Sequence, residues 1–199
     1  MKSESIVFAI AGMCFGVIVG WVIGSQQAPR QVAAPVAQTA SAGEAPRPAP
    51  TLDESKVQAL MTDIKNNPNS AGPQAQLANV YFDAERWTDA IQWYERALKL
   101  DPSNADISTD LGVSYYYTNR ADDALAQFDR SLKINPKHTK TLLNKGIVLA
   151  FGKEDLRSAA EEWKKVVELA PDTPEGQAAR RALEGIAASA HAGQGSTNQ

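Results

Sequence analysis

Ala90-Ile91-Gln92-Trp93-Tyr94-Glu95-Arg96-Ala97-Leu98 and Ala124-Leu125-Ala126-Gln127-Phe128-Asp129-Arg130-Ser131-Leu132 are two copies of one pattern, 34 residues apart. Each places apolar side chains three and four positions apart, the spacing that puts them on one face of a helix. Prolines carry the period in both directions: Pro68, Pro102, Pro136 and Pro171 lie 34, 34 and 35 residues apart. Other positions follow in phase. Leu77-Ala78 aligns with Leu111-Gly112 and Lys145-Gly146, and Tyr81 with Tyr115 and Leu149. Ala90 aligns with Ala124 and Ala159, and Tyr94 with Phe128 and Trp163.

A period of this length means that one supersecondary unit recurs and that neighbours must stack to bury a common core. Each unit reads as two antiparallel helices. Ala78, Gly112 and Gly146 let the first helix approach the second closely, and Ala90, Ala124 and Ala159 do the same from the other side. Tyr81, Tyr94, Tyr115, Phe128 and Trp163 fill the space between neighbouring pairs. Each proline ends a second helix, because it lacks a donor and disfavours a helical residue before it.

These landmarks resemble the tetratricopeptide (TPR) repeat, with units at 71–104, 105–138 and 139–173. The resemblance implies an all-α fold, a right-handed superhelical stack of helix-turn-helix repeats. Two departures stand out. Lys145 occupies a leucine position, so its stem must snorkel or the helix must shift. The third unit has one extra residue between Leu149 and Ala159, which predicts a loosened turn at Gly152-Lys153-Glu154-Asp155. Flanking helices at about 53–66, capped by Asp53, and 174–188, capped by Thr173 with Pro174 in its first turn, cover the ends of a domain spanning 51–190. Residues 191–199 read as a disordered tail.

The N-terminal quarter has a different composition. Ile6 to Ile23 is an uncharged run of eighteen residues, about 27 Å as a helix, close to the thickness of a bilayer core. Trp21 suits the interface, and Lys2 on the near side favours a cytoplasmic N-terminus. A cleaved signal peptide would have a shorter apolar core and a small-residue cleavage site, whereas Ser25-Gln26-Gln27-Ala28-Pro29 is a poor one. A lipoprotein would need a small residue before its cysteine, and Cys14 follows Met13. Residues 1–24 therefore read as a single transmembrane anchor. The orientation places the repeats on the far side, in a bacterium facing the periplasm from the inner membrane. Gly12, Gly16, Gly20 and Gly24 recur every fourth residue and would line one helix face for close packing in lipid. Residues 25–50, rich in Ala, Pro and Gln, read as a disordered spacer.

The inventory argues against catalysis. The one cysteine and two histidines, His138 and His191, assemble no metal site, and both histidines read as solvated loop residues. There is no Gly-rich phosphate loop, so neither cofactor nor small-molecule substrate is expected. A net charge of −3 gives no support to nucleic-acid binding.

A protein partner remains. The family resemblance implies that the first helix of each unit lines a concave groove. By that register the groove residues are Asn79, Phe82 and Asp83; then Thr109, Val113, Tyr116 and Tyr117; then Leu143, Ile147, Ala150 and Phe151. Members that clamp a chaperone's C-terminal carboxylates carry Lys, Asn and Arg at such sites. Here only Asn79 fits, so a different, apolar peptide segment is expected. The resemblance extends to membrane-anchored bacterial proteins of the cytochrome c biogenesis and envelope-assembly type. Two functions follow: an adaptor, scaffold or assembly factor at a membrane, or a structural protein that forms a homo-oligomer through its glycine face and repeats.

Overall fold

The structure is a computed structural model describing residues 50–195, with side chains described to residue 189. The anchor segment, its four glycines, linker residues 25–49 and residues 196–199 lie outside the described part. Among the described residues there is no strand, and no helix is long and apolar enough to cross a membrane.

The described residues form eight α-helices in order: α1 (Glu54–Asn66), α2 (Ala71–Asp83), α3 (Trp87–Leu100), α4 (Ala105–Tyr117), α5 (Ala121–Ile134), α6 (Thr139–Ile147), α7 (Leu156–Leu169) and α8 (Pro174–Gly195). Each packs mainly on its sequence neighbours, as a repeat stack requires. The helices begin where side chains satisfy the free amides of the first turn. Asp53 accepts from Lys56 N–H at 3.0 Å, Asn104 from Ile107 N–H at 3.1 Å and Asp155 from Ser158 N–H at 2.9 Å. Thr173 Oγ1 accepts from Gly176 N–H at 3.2 Å and so caps α8. That helix runs past 188 to Gly195, so the expected tail from 191 is helical over its first five residues.

Within each repeat, one large ring is buried against one small residue. Tyr94, Phe128 and Trp163 are at most 2% exposed, and Ala78, Ala90, Ala124 and Ala159 are fully buried. A Cβ at Gly112 would collide with the Phe128 ring, and one at Gly146 with the Trp163 indole. Glycine is required at both places by close approach. The indole N–H of Trp163 also donates to Leu143 O at 3.1 Å, so the ring fixes the first helix by polarity as well as by shape.

The first two units share one turn. Glu85 and Asn119 have φ of 57° and 61°, in the left-handed region. Glu85 N–H donates to Phe82 O and Arg86 N–H to Tyr81 O; Asn119 N–H donates to Tyr116 O and Arg120 N–H to Tyr115 O. These are the paired bonds of a Schellman C-cap. In the third unit Glu154, with φ of 56°, occupies the matching left-handed position, while the bonds that close the turn at Lys153 and Asp155 are wider, as the extra residue predicts. The extra residue is absorbed upstream, in a π-helical turn at Val148–Gly152. There Lys153 N–H donates to Val148 O and Asp155 N–H to Leu149 O, one residue wider than in the other units.

Lys145 snorkels. Its side chain is 19% exposed, and its ammonium meets Asp129 at 2.7 Å and Glu162 at 3.4 Å. Burial opposes the charge, but the two carboxylates outweigh it and hold the ammonium's pKa above the usual lysine value.

Candidate protein-binding groove

Helices α2, α4 and α6, the first of each unit, lie side by side and form one face. Contacts across that face join them: Asp110 to Lys140 at 2.6 Å, Asp106 to His138 at 3.1 Å, and the Phe82 and Tyr117 rings at 6.0 Å between centroids. The helices run parallel, so their C-terminal ends gather one set of side chains and their N-terminal halves another.

The C-terminal end is aromatic. Trp87, the first residue of α3, stacks on Tyr117 at 4.2 Å with an interplanar angle of 11°. Phe82 meets Trp87 edge-on at 4.7 Å, and Tyr116 lies 6.1 Å from Tyr117. All four are half-buried. Burial, with Tyr116 and Glu85 nearby, pushes the Tyr117 hydroxyl up to about 12, so it is a neutral donor under any physiological condition. Phe151 and Leu143 continue this surface onto the third unit, half-buried against its core.

The other half is charged. Asp110 accepts from the Lys140 ammonium, and Asn144 donates to Lys140 O at 2.8 Å. Burial raises the pKa of the Asp110 carboxyl even though Lys140 pulls it down. Asp83, exposed at the end of α2, is also raised by burial; Lys56 opposes that, and Asp110 adds to it. The Tyr94 hydroxyl donates to Asn79 Oδ1 at 2.5 Å.

The expected groove residues therefore divide. Phe82, Tyr116, Tyr117, Leu143 and Phe151 share the partly open surface, with Asn79 and Asp83 exposed beside it. Val113 is half-buried and packs towards Phe128. Ile147 and Ala150 are 9% and 5% exposed and belong to the third unit's core.

Thr109 is a correction. It is fully buried, and its hydroxyl lies 2.6 Å from that of Thr141 and 3.0 Å from that of Ser131. Thr109 and Ser131 both donate to Ala105 O, at 2.7 and 2.9 Å. The partners that draw Thr109 inward lie on α5 and α6.

His138 is a second correction. Its side chain is 16% exposed, its Nδ1 lies 2.6 Å from Thr141 Oγ1, and its Nε2 lies 3.1 Å from Asp106 Oδ1. Asp–His–hydroxyl order suggests nucleophile activation. Here the hydroxyl is fully buried and already bonded to two others, so no substrate atom reaches it. The arrangement ties the second unit to the third. Among the described residues no group of three or more His, Cys, Asp or Glu is placed to hold a metal ion.

Trp87, Asp110, Lys140 and Asn144 were absent from the expected set. The 34-residue spacing held the signal for three of them: Gln76, Asp110 and Asn144 are equivalent, as are Asp106 and Lys140. Trp87 sits on a second helix and carried no such signal.

These features define a class: an α-helical repeat protein whose first helices present a continuous inner face. Residues 78–118 match the family model of the TPR repeat. No curated protein matches the chain. Among solved structures it is similar to a crystal structure of MamA, with 18% identity over 68% of this chain and 89% of that one and a TM-score of 0.56. The first TPR of Spaghetti (RPAP3), bound to the HSP90 peptide SRMEEVD, is 22% identical over 59% of this chain and 96% of its own, with a TM-score of 0.54. The Arabidopsis OM64 TPR domain is 18% identical over 58% and 94%, also at 0.54. At these identities the likeness establishes the fold alone, an all-α TPR-like stack.

Proposed function

We propose that this chain is a non-enzymatic interaction module, an adaptor, scaffold or assembly factor, that holds a partner's peptide segment in its inner groove. The observation that carries this is the half-buried cluster of Phe82, Trp87, Tyr116 and Tyr117 at the groove's end. Large aromatic rings with a polar tip are favoured anchors at interfaces, and an open apolar patch of this kind marks a binding surface. The neighbour from Spaghetti binds an acidic peptide, SRMEEVD. Here Asp83, Asp106 and Asp110 line the inner face, which disfavours an acidic tail in the same place.

Membrane tethering is part of the proposal and rests on the uncharged run Ile6–Ile23. It puts the groove on the far side of the membrane from a cytoplasmic N-terminus, in a bacterium the periplasmic side. A photo-crosslinking residue at position 117 of the full chain, irradiated in native membranes, tests the whole reading. Discrete adducts to another protein that vanish with Phe82→Ala are expected. Adducts between copies of this chain alone would favour the self-assembling structural protein, and no adducts at all would refute a groove partner.

A further inference from the structure

The groove's charge and its aromatic rings stand next to each other in a way that specifies the partner more closely. Asp83 follows Phe82 directly, and Phe82 contacts the Tyr117 ring that stacks on Trp87. Asp83's side chain makes no hydrogen bond or salt bridge among the described residues. It does feel the charge of Asp110 across the face and that of Lys56 from α1. Lys140, which shares this face, is paired with Asp110 at 2.6 Å, and His138 Nε2 lies 3.1 Å from Asp106 Oδ1. Three carboxylates thus face the groove: the two on α4 have partners at hydrogen-bonding distance, and Asp83, which has only the charge of Lys56 nearby, lies beside the open aromatic surface.

A long cationic side chain fits that juxtaposition in both its parts. Its methylene stem covers aromatic carbon while its head reaches a carboxylate, as amphipathic side chains do at interfaces. A cation within about 6 Å of a Tyr, Trp or Phe ring face is further attracted by the ring. Resting on the groove reading above, we propose that the occupant is a protein segment presenting a lysine or arginine beside an apolar residue. The cationic head sits at Asp83 facing Asp110, and the apolar neighbour lies against Tyr117. Nucleic acid is repelled by the same carboxylates.

The test is a positional-scanning array of immobilised decapeptides, probed with the labelled full chain in detergent. Wild type should enrich Lys or Arg at one position with an apolar residue adjacent, and raised salt should weaken capture. Asp83→Asn combined with Asp110→Asn should reduce capture of the basic peptides about tenfold and leave their glutamine-substituted analogues within about twofold. Far-UV circular dichroism checks the fold. If the double variant loses helicity, Asp83→Asn alone, at an exposed position, is read in its place with the same expectation. Enrichment of apolar peptides with no basic preference, or variants that leave the preference unchanged, would overturn this inference and leave the groove reading standing. A wild-type chain that captures no peptide would overturn both.

Discussion

Two junctions in the stack occupy the same register and are built from opposite chemistry. Where the first unit meets the second, the equivalent positions are Ala75, Ala97 and Ile107, in a wholly apolar cluster. Where the second meets the third, they are Thr109, Ser131 and Thr141, three buried hydroxyls within 2.6–3.0 Å of one another, the first two donating to Ala105 O, with contacts running on to His138 and Asp106. One junction is held by non-directional burial and tolerates any apolar set of the right volume. The other is directional: a satisfied network fixes one arrangement, and a single stranded member is costly. The lesson is that the repeat fixes shape at these positions and leaves polarity free, provided the whole set changes together.

The largest expected effect comes from breaking the polar junction at its centre. Thr141→Val keeps the shape but removes the hydroxyl shared by Thr109, Ser131 and His138 Nδ1; Thr109 and Ser131 keep Ala105 O, so the loss falls mainly on His138, and the change should cost about 1–2 kcal/mol in urea unfolding. A loss below about 0.5 kcal/mol would mean that the hydroxyls contribute nothing together. Transplanting the first junction onto the second is the sharper experiment. Thr109→Ala, Ser131→Ala and Thr141→Ile in one chain should lie within about 1 kcal/mol of wild type, less than the single change, because no buried hydroxyl is left unpaired. Equal or larger destabilisation would show that the two junctions are not interchangeable.

Next come the turns that set up the junctions. Glu85 holds a left-handed backbone without being glycine. Glu85→Gly should therefore stabilise the chain by about 0.5–1 kcal/mol, seen as a higher unfolding midpoint.

The smallest effect is the part of the pH dependence that arises at the second junction. The folded pKa of Asp110 is raised, chiefly by burial, so its favourable contribution is full below the unfolded value and lost as pH rises through the folded one. For Lys145, also raised against the opposing effect of burial, the contribution is full below the usual lysine value and is lost only as pH rises through a higher one. These two groups should therefore each lower stability as pH rises, in two separate windows, Asp110 above the usual carboxylate value and Lys145 above the usual lysine value. Asp110→Asn should flatten the first and Lys145→Met the second when urea midpoints are compared across pH.

Much of the fold was legible because its determinants are local and repeat. Four prolines in phase and the pairing of a small residue with a ring mark each unit without reference to partners. Thr109 was misplaced because threonine is half apolar and half polar. Its side depends on Ser131 and Thr141, which are 22 and 32 residues away. Lys145 left two outcomes open, and Asp129 and Glu162 decide between them from other helices. The aromatic end of the groove was three-quarters visible, since Phe82, Tyr116 and Tyr117 obey the register and Trp87 enters from the second helix.

The π turn at Val148–Gly152 has a consequence for how such a chain changes length. The supernumerary residue is taken up at a helix end, and Glu154 keeps the left-handed backbone that Glu85 and Asn119 have, although the bonds around it are one residue wider. Trp163, on the far side of the insertion, still meets Gly146 on the near side. In a gene for a repeat protein, that helix end is a place where one codon is added or removed and the frame of everything downstream, in space as well as in sequence, stays the same.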